Sequence, residues 1–283
     1  MTTSPTFSFE FFPPRTPDGA ARLRAVRDEL AAVGPDYFSV TFGAGGSTRE
    51  GTRATVMDIR AAGLTAAPHI ACIGSTRADI AALLDDYRAA GIRRLVALRG
   101  DMPSGSGPVR GELHYANELI EFIRTHSGDW FHVEVACYPE MHPQARSPRD
   151  DLENFIRKVR AGANAAITQY FYNSDAYFRF VEDAQAAGCT VPIVAGIMPI
   201  TNYAQLARFS DACGAEIPRW IRKRLEAYGD DRASIRAFGL DVVTDLCEQL
   251  LAGGAPGLHF YTMNQSEASL ALWQRLGLSA RRG

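Results

Sequence analysis

Two carboxylates stand at strand positions where an apolar side chain would be the simpler choice. Glu10 lies in FSFEFFPPRTPDG, among Phe7, Phe9, Phe11 and Phe12, and Asp101 ends the stretch ALRGD. A carboxyl group packed among aromatic rings loses solvation, which disfavours its charged form and raises its pKa toward that of a general acid at neutral pH. Asp101, next to Gly100, is expected in a more open loop where it stays ionised. Taken singly, each is compatible with a solvated or salt-bridged residue at a strand end. Two carboxylates whose surroundings push their pKa values apart form the pattern of an acid and a charge-stabilising partner.

A third cluster lies in DLENFIRKVRAGA, Asp151 to Ala163. Asp151, Asn154 and Lys158 follow at spacings of three and four and so share one helix face, with Arg157 beside Lys158. Spacing alone describes an ordinary solvated face. Two cations close to a strand end would also suit a diphosphate.

These residues need a scaffold, and the chain supplies a regular one. Eight short runs rich in aromatic and β-branched residues read as strands: Phe7 to Phe12, Tyr37 to Phe42, Ala67 to Cys72, Arg94 to Arg99, His132 to Tyr138, Ala165 to Phe171, Val191 to Ile197 and Gly257 to Thr262. Amphipathic stretches fill the gaps, such as Gly19 to Gly34 and Asp151 to Ala163. The last gap holds three helical patterns, NYAQLARFSDACG, PRWIRKRLEAYG and DVVTDLCEQLLAGG. Eight βα units in 283 residues predict a single α/β domain, residues 1–283, folded as a (β/α)8 TIM barrel with extra helices before the last strand. A doubly wound open sheet is the alternative.

Barrels of this kind carry their reacting groups at the carboxyl ends of the strands. Thr41 and GAGGST (residues 43–48), His69, Arg99 with Gly100, Tyr138, Glu140 and His142, Gln169, and YTMNQ all fall there. GAGGST lacks the final spacing of a dinucleotide fingerprint and reads as a turn. His69, between Pro68 and Ile70, reads by itself as a hydrogen-bonded core histidine.

Composition narrows the partners. Hydrophobic residues make up 46% and charged residues 22%, with a formal net charge of -2 and no long basic block, so neither a nucleic acid nor an anionic membrane is indicated. No segment approaches the roughly 20 apolar residues of a membrane span, and the start lacks a leader pattern. Cys72, Cys137, Cys189, Cys213 and Cys247 are odd in number and unpaired in spacing, which predicts reduced thiols and a cytoplasmic location. The six histidines show no metal-binding spacing, so no metal is expected.

The segments FSFEFFPPRT, FSVTFGAGGS, APHIAC, IRRLVALRGDMP, ACYPEMHPQA, LENFIRKVRAGANAAITQYFY, VPIVAGIMPITNY and LHFYTMNQ together resemble methylenetetrahydrofolate reductase, in order and over about Phe7 to Leu278. The resemblance implies a barrel that binds FAD, takes hydride from NADH or NADPH, and reduces 5,10-methylenetetrahydrofolate to 5-methyltetrahydrofolate, with homo-oligomers among the relatives. It implies Glu10 as general acid and Asp101 as the acid that tunes the flavin and stabilises a cationic intermediate. For the flavin it implies Thr41, His69, Arg99, Gly100, Asp101, Ala116, Tyr138, His142, Asp151, Asn154, Arg157 and Lys158. Gln169 is implied for folate and nicotinamide, with Tyr203 and Gln265 also at the substrate. Tyr203 replaces a usual Phe, and Gln265 a usual Arg that serves the folate tail. A folate-binding methyltransferase and a flavin-free reductase on the same barrel are the rival expectations.

Overall fold

A computed structural model describes residues 4–42, 49–100 and 111–278. Eight strands alternate with helices: β1 (Thr6–Phe11), α1 (Pro17–Ala31), β2 (Tyr37–Val40), α2 (Arg49–Ala61), β3 (Ala66–Ala71), α3 (Arg77–Ala89), β4 (Arg94–Leu98), α4 (Ala116–Ser127), β5 (His132–Cys137), α5 (Pro148–Arg160), β6 (Ala165–Thr168), α6 (Ser174–Ala186) and β7 (Ile193–Ile197). Then come α7 (Tyr203–Cys213), α8 (Arg219–Tyr228), α9 (Arg232–Ala252), β8 (Gly257–Tyr261) and α10 (Glu267–Arg275). The strands pair in parallel in chain order, and β8 closes onto β1, so the sheet is a barrel and the open-sheet alternative fails.

Local chemistry explains the element starts. Thr16 and Ser147 accept backbone N–H bonds at the heads of α1 and α5, each followed by a proline whose fixed φ suits the first helical turn. The three expected helices before β8 are present, but α9 begins at Arg232, nine residues before the DVVTDL pattern predicts. Asp231 caps it, accepting from the amides of Ala233 and Ser234. Gly239 lies inside this helix where it packs closest: a Cβ there would lie 2.3 Å from the Ile200 carbonyl oxygen.

Strand alternation divides the side chains into two sets. Phe7, Phe9 and Phe11 face outward into the layer between sheet and helices, where Phe7 and Phe9 meet Trp273 of α10 at 5.2 and 6.0 Å and Phe11 stacks on Phe38 at 5.3 Å. Ser8 and Glu10 therefore face the barrel interior, at the levels of His259 and Tyr261 on one side and of Tyr37 and Ser39 on the other. The interior is polar as well as packed, since His69, Glu134 and His259 are all buried.

Phe9 is fully enclosed by these rings. Phe9→Ala should cost about 3–5 kcal/mol. Urea unfolding checks this as a lower midpoint at constant slope.

Candidate active site

The carboxyl end of β1 is held by β8 before any side chain is considered. Thr262 donates its hydroxyl to the Glu10 carbonyl at 2.6 Å. Asn264 then clamps Phe12 from both sides, accepting from its N–H at 2.9 Å and donating to its carbonyl at 3.0 Å. To reach this position Met263 and Asn264 adopt φ of 53° and 56°, a conformation disfavoured for non-glycine residues. Backbone strain of this sort persists where surrounding contacts over-determine it, as the clamp does here. Strand β1 accordingly ends at Phe11, and the chain leaves the rim through Phe12, Pro13 and Pro14 on a fixed path.

The Glu10 side chain, 11% exposed, reaches two imidazoles. Its Oε2 lies 3.4 Å from His259 Nε2 of β8 and 3.3 Å from His69 Nε2 of β3. The His259 contact has hydrogen-bond geometry, whereas His69 is within ion-pair reach but off line, leaving its Nε2 without a hydrogen-bond partner. His259 is anchored from behind by Ser8, whose Oγ sits 2.6 Å from Nδ1. Burial pushes the Glu10 carboxyl up, but the two histidines outweigh it and hold the group down at about 2.

This overturns the expectation that aromatic neighbours keep Glu10 protonated. Phe9 and Phe11 are adjacent in sequence but point to the opposite face of the sheet, so the rings do not surround the carboxyl group. His259 drew no attention in the sequence, although GLHFY repeats the FSFEF device of one polar residue on the inward phase of an apolar strand. Tyr261, the next inward residue, lies across the barrel and donates to the Thr168 carbonyl at 2.7 Å. Gly196 makes room for that ring, since a Cβ there would come within 2.8 Å of it.

Deeper in the barrel, Glu134 of β5 accepts from Arg94 at 2.8 Å and lies 3.8 Å from His132. Burial raises its pKa, with Arg94 opposing. Glu10 thus faces the interior at the rim and Glu134 below it.

Most of the remaining expected residues follow strand ends or lie on the helices beyond them. Thr41 follows β2, donating its N–H to Phe11 and accepting from the Thr52 hydroxyl at 2.8 Å. Gly100 follows β4 with φ +89°, and a Cβ there would strike Ile73 and Ala71 at 2.7 and 2.8 Å. Arg99 donates to the Gln144 side chain and to the Gly100 carbonyl. Ala116 opens α4. Beyond β5, Tyr138 and His142 meet edge to face at 4.6 Å, and the His142 amide donates to Asp151 of α5 at 2.8 Å. Arg157 donates to Asn154, and Lys158 reaches the Ala136 carbonyl at 2.5 Å.

Among the described residues none of Arg99, Arg157 and Lys158 lies within 4.0 Å of a carboxylate oxygen. Three cations held by neutral acceptors, one after β4 and two in the last turn of α5, have a donor chemistry that suits a dianionic diphosphate such as that of a flavin dinucleotide. Burial lowers the Lys158 pKa.

Gln169 follows β6, its amide donating to the Cys137 carbonyl at 2.8 Å. Tyr203 opens α7, and its hydroxyl donates to Glu226 of α8 at 3.3 Å. The hydroxyl that distinguishes it from phenylalanine is thereby tethered to a neighbouring helix. Gln265 lines a different space, a cavity of about 170 Å³ beside α9 and α10 whose wall includes the ion pair of Arg236 and Glu267. Asp101 and GAGGST lie outside the described residues.

Comparison with known proteins places this geometry in context. The family model for methylenetetrahydrofolate reductase matches residues 1–277. The chain is 39% identical over 272 residues to 5,10-methylenetetrahydrofolate reductase of Escherichia coli, covering 96% of this chain and 90% of that one. It is 36% identical over 285 residues to methylenetetrahydrofolate reductase (NADH) 1 of Arabidopsis thaliana, covering 96% of this chain and 48% of that one. Among solved structures, an uncharacterized protein from Clostridium thermocellum that binds two copies of 5-methyl-5,6,7,8-tetrahydrofolic acid superposes with a TM-score of 0.68 at 15% identity. That match covers 98% of this chain and 95% of the other, and at this identity it shows the fold alone.

A carboxyl held at about 2 instead of its ordinary 4.5 stabilises the fold fully above pH 4.5 and loses that contribution as pH falls toward 2. The stability gap between wild type and Glu10→Gln, followed by urea unfolding at a series of pH values, should therefore narrow between about pH 4.5 and 2. Asn264→Ala removes both clamp bonds and should lower stability by about 1–3 kcal/mol. The same unfolding series checks it.

Proposed function

The chain belongs to the methylenetetrahydrofolate reductase family, and from that premise we propose that it reduces 5,10-methylenetetrahydrofolate to 5-methyltetrahydrofolate with FAD and NAD(P)H. The observation that carries this reading is the Glu10 carboxylate, fixed at the barrel mouth between His69 and His259 by contacts of both its backbone and its side chain.

Opening the methylene bridge of the substrate requires a proton on a bridging nitrogen, and an acid poised at the rim can place it there. Glu10 is the acid in this reading. Tyr261, level with Glu10, and Gly196 both bond to Thr168 across the barrel, and Gln169 at the end of β6 is a neutral amide able to donate and accept toward a pterin or a nicotinamide amide. Asp101 takes the second acidic role. A carboxylate there would favour a cationic intermediate at the rim.

Arg99, Arg157 and Lys158 would hold the flavin diphosphate, with Tyr138, His142 and Asn154 beside them. Bound there, FAD supplies a two-electron carrier that accepts hydride and passes it on. The His142 main-chain N–H donates to the Asp151 carboxylate, so the loop beyond β5 and the head of α5 present these groups as one unit. The Arabidopsis relative is named for NADH, which makes NADH the donor to test first.

The purified protein should be yellow. NADH should bleach it anaerobically, and methylenetetrahydrofolate should restore the colour. Glu10→Gln should slow the folate half-reaction by about 10²-fold or more while leaving bleaching by NADH within about twofold of wild type. A colourless protein that still turns over would overturn the flavin, and equal folate rates in wild type and Glu10→Gln would overturn the acid.

A further inference from the structure

Glu10 presents a chemical difficulty that its surroundings also resolve. An acid must carry a proton at working pH, yet this carboxyl group is held as an anion by its neighbours. The neighbour with aligned geometry is His259, which has 0% of its surface exposed. Its ring is fixed on both edges, with Nδ1 2.6 Å from Ser8 Oγ and Nε2 3.4 Å from Glu10 Oε2. Tyr37 flanks one face at 6.2 Å between ring centres, and Tyr261 stands edge-on at 5.3 Å. Ser39 Oγ lies 3.5 Å from Nε2.

We infer that Glu10 and His259 hold a single proton between them, and that His259, oriented by Ser8, is the positioning residue that keeps this proton at the barrel mouth. The inference deepens the reading of Glu10 as acid and rests on it for its catalytic meaning. In the ionic form His259 carries hydrogen on both nitrogens, Nε2–H donating to the carboxylate and Nδ1–H to Ser8 Oγ. Transfer breaks the Nε2–H bond, forms Oε2–H, and leaves a neutral imidazole whose Nε2 accepts from the new carboxylic acid. Nδ1 keeps its hydrogen and Ser8 its acceptor role throughout, so no hydrogen bond is lost on either side of the transfer. When Glu10 gives its proton to substrate, the carboxylate returns to its anionic form and the ring is left neutral.

The other groups facing this pair set the field without competing for the same line. His69 from β3 approaches Glu10 at 3.3 Å but is misaligned. Glu134 from β5 feels this pair through space: burial raises its pKa, and Arg94, His259 and His69 oppose the rise. Burial pushes the Tyr37 and Tyr261 phenols well above their ordinary pKa, so both remain neutral.

Nuclear magnetic resonance of the holoprotein tests this without reference to turnover. With ¹³C at the glutamate carboxyl and ¹⁵N in the histidine rings, and with Glu10→Gln and His259→Gln assigning the signals, the two groups should titrate together with common apparent pKa values. In His259→Gln the Glu10 carboxyl should titrate at higher pH than in wild type, and His69→Gln should produce the smaller shift. Ser8→Ala, a milder change, should move the His259 ring signals and shift Glu10 in the same direction. Independent titration of the two groups in wild type, or a larger shift from His69→Gln, would overturn the inference. Coupled titration together with unchanged folate reduction in His259→Gln would support the shared proton and count instead against Glu10 as the acid. If both hold, that variant should lose about tenfold or more in the folate half-reaction with bleaching by NADH preserved.

Discussion

A carboxylate turned into the interior of a barrel needs donors or cations within a few ångströms, because charge removed from water without them is very costly. Glu10 finds two imidazoles there, and their supply dictates much of the surrounding design. His259 must stand on β8 next to β1, in register with Ser8, for its ring to span both Ser8 and Glu10. That register exists because β8 closes the barrel against β1, and the closure leaves no room for a side chain at Gly257, where a Cβ would lie 2.1 Å from the Thr6 carbonyl oxygen. Thr262 and the strained Asn264 then extend the same seam past the last ladder bond, so the acid is fixed at its backbone and at its carboxyl group by one strand.

The fold could be read from the sequence because its signals are local and repeated. Eight apolar runs at regular spacing, each followed by an amphipathic stretch, fall within about two residues of most observed strand ends. The early start of α9, nine residues before DVVTDL, is set by the Asp231 cap, and Gly239 within it is kept bare by close contact with Ile200, which local propensity does not show. Glu10, His69 and Gly100 fall within or just after strands, and Arg157 and Lys158 on α5, where strand pattern and helix spacing put them, whereas the roles expected of them came only from the resemblance. The environment of Glu10 could not be read this way, since sequence neighbours on a strand occupy opposite faces and the phenylalanines beside it serve the helix layer. His259 was hidden because its partners are 249 and 251 positions away. Its inward phase in GLHFY was the available signal, and it becomes informative only when the polar positions of all eight strands are compared by face.

The charged groups separate by strand. β1, β3 and β8 carry Glu10 and its two imidazoles, whereas the end of β4 and helix α5 carry cations tied to neutral acceptors. Among the described residues, Glu10 pairs with His69 and His259 and not with any of the three cations. The two positions expected to depart from the family pattern lie apart from both groups. Tyr203 spends its added hydroxyl on Glu226, and Gln265 borders a cavity whose charged groups, Arg236 and Glu267, are paired with each other.

The central claim is that Glu10 is stored as an anion by histidines and is not kept neutral by aromatic burial. Infrared difference spectroscopy at neutral pH, wild type minus Glu10→Gln, tests it most directly, because subtraction cancels any protonated-carboxyl band from Glu134. The account predicts an ionised-carboxylate signal for Glu10 in the resting holoprotein and no protonated-carboxyl band in the difference. A protonated-carboxyl band that disappears with Glu10→Gln would contradict it.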